Sequence, residues 1–226
     1  MKYICSWPKY GIYRLTQGKI ISTLLAICYY SHMLSKKFFN RDSQVVAKEL
    51  LGKILRVKYK NSWLAAQITE TEAYYLTDKA SHASLGYTEN RKALFMPAGT
   101  IYMYHSRGGD SLNVSCHGKG NAVLIKAARP YQDKKTAKNM LRIMQRLNPQ
   151  KNSPLPRPIN KLCSGQALLC KSLGLKRIVW NQKQFRKNKF CLEDVGFTPK
   201  KITRTTRLGI PKGRDEHLPY RFVLVD

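Results

Sequence analysis

Apolar and polar positions along the chain change period several times, and each change marks an element. Residues 42–51, "DSQVVAKELL", space their apolar members as a helix does, with Asp42 or Ser43 as N-cap and Gly52 as the stop. Leu55, Val57 and Tyr59 then alternate with polar residues as a half-buried strand, and "KNS" at 60–62 supplies a turn. The next run, 63–75, is predicted to place Leu64, Ala66, Ile68, Glu70, Glu72 and Tyr74 on one strand face. Ala65, Gln67, Thr69, Thr71, Ala73 and Tyr75 fall on the other. Two glutamates therefore share a predicted face with aliphatics and a tyrosine.

Residues 76–93 are polar and loop-like, "MPAG" reads as a turn, and "TIYMY" at 100–104 is a strand grouping Thr100, Tyr102 and Tyr104. "HSRGGDS" at 105–111 reads as a glycine-loosened loop. Asn113 opens a strand, "HGKGN" at 117–121 turns, and "AVLIKA" at 122–127 returns, which predicts an antiparallel hairpin. Over 133–147, Met140, Leu141, Ile143, Met144 and Leu147 keep helical spacing, while Lys134, Lys135, Lys138, Arg142 and Arg146 fill a basic face. A proline-rich connector at 148–160 precedes "LCSGQALLCKSLGL", a core helix ending at Gly174, and "YRFVLV" at 220–225 is a closing strand.

Composition narrows this picture to one main domain, since 226 residues at 43% hydrophobic sustain a sizeable core. The apolar run "IISTLLAICYY" at 20–30 is shorter than the ~20 residues a membrane helix needs. It also lacks the cleavage pattern of a signal peptide. Residues 1–32 are read as an appendage and 33–226 as the folded domain. Charge changes the picture more: 41 Lys+Arg against 13 Asp+Glu give a net charge of +28, which calls for a polyanionic partner, nucleic acid before an anionic membrane or an RNA scaffold. The cysteines at 5, 28, 116, 163, 170 and 191 form no C-x-x-C pair and read as reduced thiols of a cytosolic protein. No metal or cofactor is expected, and no phosphate-binding glycine motif is present.

Carboxylates at i and i+2 of a strand stand about 7 Å apart. The ordinary reading puts both at a sheet edge facing solvent or lysines. The chemical reading makes one of them a general base tuned by burial. Tyr74, Tyr102 and Tyr104 are by default sheet-face residues and His82 a loop residue. Beside an acid and on so basic a chain, the same rings suit an enzyme that grips an extruded nucleobase by its faces, a cationic one above all.

"ETEAY" at 70–74, His82, "NR" at 90–91, "FMPAGTIYMY" at 95–104, "LNVS" at 112–115, "AVLIKAARP" at 122–130 and "LCSG" at 162–165 occur in an ordered series. In this order they resemble the alkyladenine (3-methyladenine) DNA glycosylase family, well over residues 40–175 and more weakly through "TRLGI" at 206–210 and "LPYRFVLV" at 218–225. The resemblance implies a single α+β domain, a curved antiparallel sheet flanked by helices like the formyltransferase C-terminal domain. It implies a monofunctional N-glycosylase that excises alkylated purines (3-methyladenine, 7-methylguanine), and deaminated ones, from duplex DNA without metal or cofactor. Glu72 then resembles the base that activates water, Tyr74, His82 and Tyr104 the rings that sandwich the flipped purine, and Asn113 the residue that excludes normal guanine. Arg91 and Arg107 are expected to touch DNA. Two positions depart from the family: 105–112, "HSRGGDSL", lacks the aromatic wedge, for which Arg107 or His105 substitutes, and Lys126 stands where an arginine is usual beside the catalytic water. With no amine nucleophile identified, strand cleavage is not predicted. The partner is damaged duplex DNA, the protein a monomer with no stable membrane association, cytoplasmic and nucleoid-associated if bacterial. The rival is a non-catalytic nucleic-acid-binding module on the same fold.

Overall fold

The computed structural model describes residues 32–106 and 108–225; residues 1–31, Arg107 and Asp226 lie outside the described residues. Of the expected appendage only His32 is described, and the expected role of Arg107 falls on a residue that is not.

His32–Met33 (β1) and Lys36–Phe39 (α1) lead into Ser43–Leu50 (α2). The capping expectation is met: an Asp42 carboxylate oxygen accepts the N–H groups of Gln44 and Val45 at 2.9 and 3.3 Å, and Gly52 leaves the helix at φ +83°. Ile54–Tyr59 (β2) differs from the half-buried strand expected, because its first four residues are all buried. Arg56 is 1% exposed there, and its guanidinium reaches Asp133 at 2.8 Å and Glu193 at 3.0 Å. The same bonds shorten the helix predicted over 133–147. Asp133 also accepts the N–H groups of Lys135 and Thr136, which fixes a turn, so the helix covers only Met140–Leu147 (α3).

Ser62–Tyr74 (β3), Ile101–Ser106 (β4), Gly109–Ser115 (β5) and Ala122–Pro130 (β6) are the strands that carry the site. The loop expected at 105–111 is a tight hairpin, with His105 opposite Asp110 and Ser106 opposite Gly109. Gly108 at φ +76° supplies the left-handed residue such a turn requires. Gln166–Ser172 (α4), Arg177–Trp180 (α5), Phe190–Asp194 (β7), Lys201–Thr205 (β8) and Arg221–Val225 (β9) complete the described elements. Every pairing is antiparallel, in the order β1-β7-β2-β3-β6-β5-β4, and β9 joins β3 to β8. This is an α+β domain dominated by one antiparallel sheet.

The strand-face expectation for 63–75 needs correction. β3 and β6 pair Ile68 with Ala128, then Glu70 with Ala127, then Thr71 with Ile125, so Thr69 on one strand and Lys126 on the other are left over. These two irregularities crease the sheet and shift the alternation. Leu64, Ala66 and Ile68 face the main core before the crease, and Ala73 faces it afterwards, with Thr71 donating to the Ala47 carbonyl at 2.7 Å. Glu70, Glu72 and Tyr74 consequently lie on the face opposite Leu64, Ala66 and Ile68. Helices α2, α3 and α4 cover the core face. Each aliphatic side chain buried there contributes about 1.5–3 kcal/mol. The four described cysteines, 116, 163, 170 and 191, are free and buried, and burial raises their thiols, to about 12 for Cys116 and Cys163 and about 11 for Cys191.

Candidate active site

One row across the sheet places the chemistry. Glu72 on β3 pairs with Leu124 on β6, Leu124 with Asn113 on β5, and Asn113 with Tyr102 on β4. The neighbouring rows, Thr71–Ile125–Leu112–Met103 and Ala73–Val123–Val114–Ile101, face the core instead. The pleat alone thus separates packing from chemistry.

Over the Glu72 row lies a cleft of about 250 Å³, walled by Tyr74, His82, Tyr102, Tyr104, Asn113, Leu124 and Lys126 from the sheet and the loop after it. Residues Leu208–Pro211 and Arg214 close the other side. Glu72 is fully buried, one layer behind this wall, and each of its partners belongs to the wall. The Tyr74 hydroxyl donates to Oε2 at 2.7 Å, the Leu208 N–H to Oε1 at 3.2 Å, and Lys126 Nζ stands 3.3 Å from Oε1. Burial first and the Glu72 charge second push the Tyr74 phenol well above its usual range, so it remains a donor. The crease accounts for Lys126: as the extra residue of β6 its side chain is re-aimed toward the acid.

Glu70 fills the structural part that spacing could not allot between the two acids. Arg221 on β9 binds its Oε1 at 2.6 Å.

His82 and Tyr104, two of the three rings expected to sandwich a purine, touch one another, with ring centroids 4.3 Å apart, and form one wall. Tyr74 lies on β3, separated from β4 by β6 and β5, so the two backbones stand about 14 Å apart at the usual strand spacing. Nδ1 of His82 and the Tyr102 hydroxyl are 2.9 Å apart, which steadies the imidazole. Asn113 is held too, its amide donating to the Tyr102 carbonyl at 3.2 Å. Arg91 turns its guanidinium inward to the carbonyls of Gly86 and Leu85, at 2.8 and 3.0 Å, and so braces the loop beside His82.

Burial first, then the charges of Arg91 and Arg214, hold His82 below the usual imidazole range, so it is neutral at pH 7. Acidification through its lowered pKa adds a cation beside Tyr104 and opposes a cationic ligand more than a neutral one. As the pH falls below the ordinary imidazole value of about 6.5 and His82 takes up its proton, binding of a cationic nucleobase in the cleft is expected to weaken relative to a neutral one, and His82→Gln to flatten that ratio. Parallel pH titrations of the two ligands measure it; an unchanged ratio in the wild type would count against a wall formed by His82.

Sequence reasoning did not single out Arg207, Leu208, Arg214 or Gln166. Arg207 is 4% exposed; its guanidinium lies 4.6 Å from the Tyr74 ring centroid and forms a two-pronged pair with Asp78. It also donates to the carbonyls of Ala73 and Asp215 at 3.3 and 3.2 Å. The weak "TRLGI" match at 206–210 was the signal that contained both Arg207 and Leu208. Among the described residues no three His, Cys, Asp or Glu side chains come together as metal ligands, and no helix is long and apolar enough to cross a membrane.

A family model for methylpurine-DNA glycosylase (MPG) matches residues 37–226. A relative from Pseudomonas syringae pv. syringae is 59% identical over 190 residues, 84% of this chain and 85% of its own. One from Pseudomonas aeruginosa is 56% identical over 190 residues, with 84% and 79% covered. One from Koribacter versatilis is 32% identical over 199 residues, with 84% and 89% covered. All three carry the assigned name 3-methyladenine DNA glycosylase.

Proposed function

The chain belongs to the methylpurine-DNA glycosylase family, a family of hydrolytic DNA-repair enzymes, and on that premise we propose that it cuts the N-glycosidic bond of alkylated purines with Glu72 as general base. The lesions are 3-methyladenine and 7-methylguanine, with deaminated purines beside them, and the damaged nucleotide swings out of duplex DNA into the cleft. The observation that carries this reading is a buried carboxylate whose three partners all belong to the cleft wall.

An ionised carboxylate offers about four acceptor positions. Tyr74, Leu208 and Lys126 account for three, and the fourth receives the water that attacks C1′. Lys126 and the Leu208 N–H hold the carboxylate in place, and its negative charge also favours the oxocarbenium-like sugar of the transition state. Alkylation at a ring nitrogen has already made the purine a leaving group, so the protein supplies position and a proton acceptor. Tyr74 covers one face of the base, and the His82–Tyr104 pair covers the other.

Single-turnover assays on duplexes that each carry one lesion test the assignment. Free purine is expected from 3-methyladenine and 7-methylguanine; retention of both bases on the DNA would refute it. Asn113 guards against undamaged guanine, whose exocyclic amino group meets the anchored amide. Asn113→Ser is expected to raise guanine release by about tenfold, measured as abasic sites formed in unmodified duplex.

A further inference from the structure

We infer a second DNA-binding surface, formed by the exposed side of α3 and the turn before it, which holds an undamaged duplex while the cleft holds another. The inference rests on the reading that the cleft takes DNA. Over residues 134–192 the sequence carries fifteen Lys and Arg and no Asp or Glu. Met140, Ile143 and Met144 turn inward to the core, so Arg142 and Arg146, one turn and about 6 Å apart, stand exposed on the opposite side of α3. Lys134 and Lys138 are exposed in the turn that leads into the helix. None of these four belongs to an ion pair among the described residues. The acids beside the turn are already matched, Asp133 by Arg56, and Glu193 by Arg56 and Lys135.

Position separates this face from the cleft. α3 packs on the core side of the sheet near the start of β3, where the Ala65 N–H meets the Met140 sulfur at 3.3 Å and the Ala137 N–H the Trp63 carbonyl at 3.2 Å. Glu72 lies seven residues beyond Ala65, about 20 Å further along the strand, and its partners wall the cleft on the other side of the sheet. A duplex seated over the cleft is stiff over about 150 base pairs, so it does not wrap round to α3. The two faces therefore take two segments. Charge of one sign on unpartnered side chains repels itself in the free protein, and phosphates relieve that repulsion while releasing their own counterions. No large apolar residue of α3 is exposed, so a folded protein partner would find no anchor there.

Two labelled duplexes test this with the full chain. One carries a tetrahydrofuran abasic analogue and a donor dye, the other is undamaged and carries an acceptor, and energy transfer reports both on one protein. A neutralised variant combines Lys134→Gln, Lys138→Gln, Arg142→Gln and Arg146→Gln, while a second, Arg142→Lys with Arg146→Lys, keeps the charge; thermal melting compares their folding with wild type. Energy transfer is expected with wild type and with the lysine variant. The neutralised variant should bind the acceptor duplex about tenfold more weakly and with a shallower salt dependence. Its affinity for the donor duplex alone should stay within about twofold of wild type, because the two surfaces are far apart. Donor duplex bound by wild type without energy transfer overturns the inference, and so does equal transfer by wild type and the neutralised variant. Displacement of the acceptor duplex by equimolar single-stranded RNA assigns the face to RNA and overturns it too. Failure of wild type to bind the donor duplex at all would refute the reading of the cleft as well.

Discussion

Glu72→Gln is expected to lower single-turnover release of methylated purine by about 100- to 10,000-fold, the range over which general bases contribute. The substitution keeps the shape of the side chain and an oxygen able to accept from Tyr74 or Leu208, but removes the proton acceptor and the partner charge of Lys126. DNA binding should persist, because the basic side chains are untouched, and the catalytic rate should fall without a matching loss of affinity. Glu70→Gln is the internal control. That acid is bound by Arg221 on β9 and is not among the residues that wall the cleft, and its loss should leave base release within a few-fold of wild type. Gel-shift affinity and single-turnover excision on the same lesion duplex separate the two effects. Equal release by wild type and Glu72→Gln removes Glu72 as the base; no release from either, with tight binding kept, revives the non-catalytic binding module.

The contrast between the two acids shows how far the sequence was legible. Periodicity located β3, β4, β5 and β6, the Asp42 cap and the closing strand, because these follow from local spacing and capping chemistry. The resemblance singled out Glu72, Tyr74, His82, Tyr104, Asn113 and Lys126, and all of them line the cleft or stand directly behind its wall. Alternation alone could not separate Glu70 from Glu72, since i and i+2 share a face; the separation comes from Arg221, 151 residues away. Nor could it foresee the crease, because neither Thr69 nor Lys126 is a glycine or proline that would announce a bulge. The helix at 133–147 was overdrawn because the buried Arg56 on β2 takes up Asp133. β7 and β8 are five residues each, set among lysines, and their pairing is supplied by β2 and β9 rather than by their own pattern. Misses of this kind arise where a distant partner decides local structure.

Arg207→Ala is expected to cost about 3–5 kcal/mol of folding stability, the range for removing one partner of a buried ion pair. The loss has three physical parts. Asp78, 3% exposed, would keep a charge with no guanidinium to meet it, and the carbonyls of Ala73 and Asp215 would lose a donor. The rear face of Tyr74 would lose the cation now 4.6 Å from its centroid. Burial opposes the charge of Arg207, yet the bonds and charge of Asp78 outweigh it and its pKa is raised, which marks the pair as net favourable to the ionised state. Because Leu208 follows directly and donates to Glu72, the site should loosen along with the fold. Urea unfolding of wild type, Arg207→Ala, Asp78→Ala and the double variant gives the coupling energy. The double variant should be less destabilised than the sum of the two singles, since it leaves no charge stranded. A single-variant loss below about 1 kcal/mol, the level of a surface pair, would mean that Arg207 decorates the loop rather than fastening it to the strand that carries the acid.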